Sequence, residues 1–338
     1  MKIAIHHREN SFSDKWIKYC EINNIDYKIV NAFDNNIIAQ IQDCDVFMWH
    51  HHHSEFKDVL IAKKILYSLE HAGIKVFPDF KTGWHFDDKV AQKYLLEAID
   101  APLVPSYVFY DKQRALDWAK QTEYPKVFKL KGGAGAANVK LVKSYSQAIS
   151  LINKAFGRGF AQFDRIGYFN ERLSKYKKGK DTLLGVLKGF ARIFIIPEFA
   201  KYQPVEKGYI YFQEFIPNND FDTRVVIING EVAAAEKRFV RKGDFRASGS
   251  GLFDYEDINI DLIKVAFDVA YKLDLQSVAF DFILDKNKKP LIIEISYGFG
   301  VTGINNVPGY WDSNLKWHEG EFNPQEWMIE NLIKKVAK

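Results

Sequence analysis

The chain has 338 residues, 47% of them hydrophobic and 15% aromatic, so it can bury a large core divided over two or three domains and is neither disordered nor fibrous. Its net charge of +4 is too small to indicate a nucleic-acid partner, and no nucleic-acid-binding signature occurs. Two cysteines, Cys20 and Cys44, make neither a disulfide framework nor a zinc ribbon, and no run of about 18 apolar residues would span a membrane.

Residues 1 to 84 alternate strand and helix: KIAIHH, SDKWIKYCEI, YKIVNA, NNIIAQIQ, DVFMWHH, FKDVLIAKKILYSLEHAG and KVFP. This βαβ rhythm predicts a small parallel sheet wrapped by helices, with ligand sites at the C-terminal ends of its strands. The opening strand, in place of a basic and then apolar leader, leads to the expectation of a soluble cytoplasmic protein without stable membrane insertion. His50 to His53 close the third strand. Successive strand side chains point to opposite faces, so at most alternate ones, His50 and His52, converge on one ligand. Substrate-facing histidines, loop histidines and a zinc site all remain open there.

From Asp87 a helix carries Val90, Tyr94, Leu95 and Ala98 at 3.6 spacing, the stripe expected to be buried. Trp84 and His85 precede Lys89 closely enough to line one cleft with it. A second α/β segment ends near Phe156, and residues 157–207 read as an insertion. Its portion 171–207 holds nine Lys/Arg against four acids, which accounts for the whole positive excess of the chain. An electropositive wall for an anionic acceptor, a solvated helical cover and a basic surface for anionic headgroups are the open readings. Strands dominate from Gly208 to Tyr297, interrupted by INIDLIKVAFDVAYKLD with Ile263, Ala266, Phe267 and Ala270 inward. Asn323-Pro324 opens a C-terminal helix.

The chemistry concentrates in three places. SVAFDFILDKNKKPLIIEIS reads as a hairpin whose turn, centred on Asn287-Lys288, sets Asp281 opposite Glu294. Strict alternation gives Ala279, Asp281 and Ile283 one face and Ile292, Glu294 and Ser296 the matching face. Opposed carboxylates repel, and Mg²⁺, taken by one or two carboxylates plus phosphates, is the usual relief; two solvated acids are the plain alternative. Gly132, Gly133 and Gly135 sit at the tip of a second hairpin after Lys129, where small residues let backbone N–H groups approach phosphate oxygens. No GK[ST] follows, so this is not a Walker A loop. Arg238, Arg241 and Arg246 cluster in AAEKRFVRKGDFR, with guanidinium forks suited to phosphate or carboxylate.

Taken in order, DDKVAQKYLLEA, YPKVFKLKGGAGAANVKLV, YIYFQEFIPNND, DTRVVIINGEVAAAEKRFVRKGDFRASGSG and the acidic hairpin resemble the ATP-grasp superfamily of carboxylate-amine ligases over roughly residues 85 to 300. The Asp281 to Glu294 spacing is similar to that of D-alanine:D-alanine ligases and of ligases that add glutamate to protein tails. The resemblance implies an α/β chain, α+β in its ATP-grasp module: a Rossmann-like pre-ATP-grasp domain (1–84), two ATP-grasp subdomains (85–212 and 213–310) and a helical tail (311–338). It implies ATP and Mg²⁺, with the glycine hairpin as a lid and with Lys89 and Lys129 on phosphate. Gln213, Glu214, Phe215 and Ile216 would hold adenine, and Asp220 the ribose. Arg224, oriented by Asp222, and Arg246 would grip the acyl group and Arg238 the γ-phosphate, while Asp281, Glu294 and Ser296 would hold metal. Ser296 stands where many members of the family have Asn, which weakens a second metal position.

The reaction implied is amide formation from a carboxylate and an amine through an acyl phosphate, releasing ADP and phosphate. IEISYGFG and PGYWD further resemble ATP-grasp proteins associated with surface-polysaccharide synthesis, implying a sugar acid set against His50, His52, Trp84, His85 and Tyr297, with Trp49 as a further aromatic wall. An amino-acid ligase acting on a peptide or protein, and a nucleotide-binding scaffold without catalysis, are the alternatives. No nucleic acid is expected, and a homodimer stays open.

Overall fold

Four apolar runs between residues 2 and 77 build a sheet whose strands all run the same way. In chain order, β1 (Lys2–His6), α1 (Phe12–Ile22), β2 (Asp26–Val30), α2 (Ile37–Ile41), β3 (Val46–Trp49), α3 (Phe56–His71) and β4 (Lys75–Phe77) give the strand order β2-β1-β3-β4, parallel throughout. Every residue of β3 is buried, as expected of a strand covered on both faces. α4 (Phe80–Gly83) and α5 (Lys89–Ala98) follow. The computed structural model describes residues 1–132, 138–161, 165–177, 179, 181–195, 201–202, 204–241, 244–247 and 251–337.

The middle of the chain contributes β5 (Ser106–Phe109), α6 (Lys112–Gln121), β6 (Lys126–Lys129), β7 (Val139–Val142), α7 (Tyr145–Ala155), α8 (Arg165–Lys177), α9 (Leu183–Phe194) and β8 (Ile210–Glu214). Its sheet is antiparallel in the order β5-β8-β6-β7, with Phe128, Leu130, Val142 and Phe212 packed against Ala115, Ala148 and Ile152 of the helices. The last third supplies β9 (Phe221–Ile228), β10 (Val232–Phe239), β11 (Phe253–Asp254), α10 (Ile260–Leu273), β12 (Ser277–Leu284), β13 (Pro290–Ser296), α11 (Val301–Ile304), β14 (Gly309–Asp312), β15 (Trp317–Glu319) and α12 (Pro324–Val336). These strands make a second antiparallel sheet, β13-β12-β9-β10-β14-β15, with β11 on β10.

Two compact units result: Met1–His52 with Lys57–Val104 and Ile216–Lys338, and His53–Phe56 with Pro105–Phe215. The boundary expected near residue 84 therefore falls inside a unit. The cause is a continuous core in which Ile3, Ile5, Trp16 and Phe77 pack with Val226, Ile228, Ala279 and Tyr297 and with Met328 and Ile329 of α12. Gln276 fastens the two sheets: its Oε1 accepts from Asp79 N, its Nε2 donates to Val76 O, and its own N donates to Thr82 Oγ1, each at 2.9 Å.

The large antiparallel sheet has two unlike faces. On one, Val225, Ile227, Ala233, Ala235, Phe280, Phe282, Ile292 and Ile295 pack against Leu262, Ile263, Ala266 and Ala270 of α10 and Leu96 of α5; Phe267, expected among them, is only partly buried. Alternation sends Asp222, Arg224, Glu236, Arg238, Asp281 and Glu294 to the other face. The acidic hairpin closes about Asn287, with Asp285 N donating to Lys289 O and Lys288 at φ +61°. Leu284 pairs with Pro290 and Phe282 with Ile292, yet Asp281 pairs with Glu294, so Ile293 is an extra residue in β13. This bulge, not the symmetric turn, opposes the acids, and it moves Ile292 to the apolar face instead of beside Glu294 and Ser296.

Gln276→Leu should keep the volume and strand Val76 O and Asp79 N, lowering stability by about 1–3 kcal/mol, measurable by urea unfolding.

Candidate active site

α5 turns its polar side inward. Its buried residues are Lys89, Gln92 and Leu96, whereas Tyr94 and Ala98 of the expected stripe are exposed and Val90 and Leu95 half-buried. The helix is capped by Asp88, which accepts from Val90 N and Ala91 N, and this fixes which residues face β13. Gln92 Oε1 accepts from Ile295 N at 3.3 Å while its Nε2 donates to His85 O at 3.2 Å. Lys89 Nζ lies 3.0 Å from Glu294 Oε1; burial works against its charge, but Glu294 and Asp87 hold its pKa above the ordinary value.

Strand register lines up Glu294, Asp281, Arg224 and Glu236 in one row across β13, β12, β9 and β10, with Asp222 opposite Arg238 beside it. Arg224 forks Asp281 (Nε to Oδ1 2.8 Å, Nη2 to Oδ2 3.0 Å), and Arg238 forks Asp222 (2.7 and 2.8 Å). Arg238 Nη2 also reaches Asp281 Oδ2 at 2.8 Å. The partners are thus crossed relative to expectation: Asp222 holds Arg238 rather than Arg224, because Asp222 stands opposite residue 238. Burial works to raise the pKa of both aspartates. Two guanidiniums overcome it at Asp281 and hold that carboxyl below its usual range, whereas Asp222 stays raised.

Glu236 is the member that sequence reasoning missed. It is 1% exposed, its Oε2 has no hydrogen-bond partner among the described residues, and burial raises its pKa to about 7. Its head lies against Gly303, where a Cβ would overlap Oε2, and near the Phe253 ring, which would stand 2.6 Å from that Cβ. The alternation of Glu236 with Arg238 was the signal available in AAEKRF.

Like charges across the hairpin are therefore relieved by Arg224 and Lys89. Asp281 and Glu294 still offer the hard oxygen donors that Mg²⁺ accepts, so the donor set fits that ion in kind. Ser296 Oγ donates to Gly298 O at 2.6 Å and is turned to the backbone. Among the described residues no cluster of three or more His, Cys, Asp or Glu forms a metal cage. Arg246 is forked by Asp244 two residues away, at 2.6 to 3.0 Å.

The second unit carries its own polar set. Lys129 is buried and donates to Gln213 Oε1 at 2.7 Å, while Gln213 Nε2 donates to Ser106 Oγ at 3.1 Å. Lys126, absent from the sequence expectation, is buried and donates to both Glu214 oxygens at 2.7 Å. Glu214 N is bonded to Pro105 O, so this residue of the expected adenine segment has its backbone donor engaged; Phe215 and Ile216 are half-buried and Asp220 is exposed. Gly132 is buried; Gly133 and Gly135 lie outside the described residues.

Of the expected substrate walls, several are interior. Tyr297 is fully buried and donates its hydroxyl to His51 O at 2.5 Å, and Trp49 is buried in the parallel-sheet core. His85 is buried too, with its pKa pushed down to about 4 by burial. Trp84 is half-buried and stacks on Phe80. The histidines do not close β3 as expected, because that strand ends at Trp49 and the chain turns, with His51 N donating to Trp49 O; His50 and His51 both pack on Tyr297, His51 also on Phe86, and the His50 and His52 rings stand 6.5 Å apart. His50 lies flat on Phe12 and accepts from its N–H at 3.2 Å, and burial keeps the ring neutral.

Residues 200–310 match the RimK-like ATP-grasp domain family. A probable alpha-L-glutamate ligase of Enterobacter sp. (strain 638) is 32% identical, and the ribosomal protein bS6--L-glutamate ligase of Escherichia coli O139:H28 is 31% identical. Each match runs over 105 residues, which is 30% of this chain and only about a third (35%) of the relative. Among solved structures, a D-cycloserine synthetase superposes with a TM-score of 0.61 at 12% identity, over 99% of this chain and all of that one. D-alanine--D-alanine ligase from Bacillus anthracis, crystallised with ATP, gives 0.52 at 12% identity over 88% and 86%. The likeness establishes a mixed α/β ATP-grasp fold, a fold whose solved members include complexes with ATP, ADP and magnesium.

Because the folded state raises the Glu236 pKa from the usual 4.5 to about 7, it holds that proton more tightly than the unfolded chain. Stability from this group is present below the unfolded value and declines as pH rises through about 7, by up to about 3 kcal/mol. Glu236→Gln should remove that decline, seen by comparing urea unfolding at about pH 5 and about pH 8. Arg238→Met, which leaves Asp222 and Asp281 undercompensated, should lower stability by about 3–5 kcal/mol at neutral pH.

Proposed function

We propose that this chain, whose residues 200–310 match the RimK-like ATP-grasp family and whose fold is the ATP-grasp fold, is an ATP-dependent ligase joining a carboxylate to an amine. The observation that carries the reading is the row Glu294–Asp281–Arg224–Glu236 with Arg238 and Lys89: four ionisable side chains fixed by sheet register and two cations held against its acids. Phosphoryl transfer asks a protein mainly for positioning and charge neutralisation, and such a set provides both.

In this reading residues 1–84 are a Rossmann-like domain preceding ATP-grasp subdomains 85–212 and 213–310, with 311–338 as a tail. Asp281 and Glu294 would hold Mg²⁺, which when bound would neutralise phosphate charge. Arg224 and Lys89, which lie against those acids, would meet anionic substrate oxygens, and Arg238, pinned by Asp222, would form a fixed positive wall. Lys126 and Lys129 supply cations in the second unit. The γ-phosphate passes to the substrate carboxylate, and the amine displaces it from the acyl phosphate to form a C–N bond.

The carboxylate is proposed as a sugar acid in surface-polysaccharide synthesis, on the sequence resemblance; burial of Trp49 and Tyr297 removes two aromatic walls from that argument. Addition of an amino acid to a peptide or protein is favoured by the glutamate-ligase relatives. A cytoplasmic location belongs to either reading.

Isotope-labelled carboxylate oxygen should appear in the released phosphate, with ADP as the nucleotide product; AMP and pyrophosphate would overturn the mechanism. Asp281→Asn should lower carboxylate-dependent ATP turnover at least ~100-fold with circular dichroism unchanged.

A further inference from the structure

Helix α9 turns its apolar side to water. Its glycine side is committed: a Cβ on Gly185 would overlap Asp181 and come within 2.9 Å of Arg172 Nη1, and one on Gly189 would stand 3.2 Å from Arg172 Cγ. Arg172 of α8 is itself fixed, bonded to Asp181 (2.9 and 3.1 Å) and to Tyr168 Oη (2.9 and 3.1 Å). The glycines thus decide which face of α9 meets α8.

On a helix of 3.6 residues per turn, Leu183, Leu187, Phe190 and Phe194 then fall on one line, with Leu184 on the arc beside it and Ile195 just past the helix end. These six side chains are 52–71% exposed. Single exposed apolar residues are ordinary on a protein surface, whereas a contiguous set of this size marks a contact surface. Exposed Lys188 edges the arc beside Leu184, exposed Arg192 follows one turn on toward the glycine side, and α9 contains no acid. Exposed Lys175 and Lys177 end α8.

We propose that α9 seats the protein on an anionic lipid surface, with the leucine and phenylalanine line in the acyl boundary and Lys188 and Arg192 at the headgroups. Twelve residues rise about 18 Å, too short to cross a hydrocarbon layer of about 30 Å and long enough to lie in its plane. Basic residues bordering an apolar arc match acidic headgroups over acyl chains. A second copy on the same face would bring two basic borders together with no acid on α9 to offset them. The proposal is independent of the ligase reading and would bring the chain to a membrane-bound acceptor.

The test is sedimentation of the full chain with vesicles of phosphatidylcholine alone and of phosphatidylcholine with phosphatidylglycerol. Binding should be at least ~10-fold greater on the anionic vesicles and should weaken as ionic strength rises from ~0.05 to ~0.3 M. Leu187→Glu with Phe194→Glu, and separately Lys188→Glu with Arg192→Glu, should each reduce binding ~10-fold without changing the thermal midpoint. If the first pair lowers the midpoint, the charge pair decides. Equal binding to both vesicles, or no binding, overturns the proposal. So does a wild-type dimer that Leu187→Glu with Phe194→Glu dissociates in the absence of lipid, since a second copy would then be the occupant.

Discussion

The crossed ion pairs of Arg224, Asp281, Arg238 and Asp222 are the constraint on which the charged face of the antiparallel sheet depends. Four ionised groups packed on adjacent strands are costly to desolvate, and each guanidinium repays that cost only while both of its nitrogens meet carboxylate oxygens. The register of β9 with β10 and β12 provides that geometry. A slip of one residue would send all four charges into the opposite face, among Phe280, Phe282 and Ile295.

That division of faces reaches beyond the sheet. α10 and Leu96 cover the apolar face, while the charged face gives way along the strands to Val226, Ile228, Ala234 and Ala279, which join the core of the parallel sheet. α5 serves both: Leu96 enters the apolar core, and one and two turns before it Gln92 and Lys89 turn to β13. The helix therefore buries a polar side, which inverts the usual relation between hydrophobic spacing and burial. Glu236 completes the set as a carboxyl whose pKa burial raises to about 7 against the opposing pull of Arg224 and Arg238.

Several features were legible in the residues alone. The strands and helices of residues 2–77 follow from alternating apolar runs of strand and helix length, and Asn323-Pro324 does open the last helix. The opposition of Asp281 and Glu294 was reached from hairpin spacing, although the turn is centred differently and a bulge at Ile293 restores it. The histidine run did not follow strand alternation, because β3 ends at Trp49 and the chain turns there. The inward face of α5 was not legible, since hydrophobic spacing assumes that only apolar side chains are buried. Nor were the interior positions of Trp49, His85 and Tyr297, because an aromatic near a strand end suits a core and a cleft equally well.

The sequence by itself determined the strands and helices of residues 2–77, that two acids meet across a hairpin, and that cations and acids gather in residues 220–296, because those properties follow from local periodicity and spacing. Only the tertiary structure decided which guanidinium meets which carboxylate, that Lys89 answers Glu294, that Lys126 answers Glu214, and that Glu236 is buried at the end of the row. Those pairings join residues from 16 to more than 200 positions apart, and strand register, bulges and helix rotation set them through packing that no short window of sequence contains.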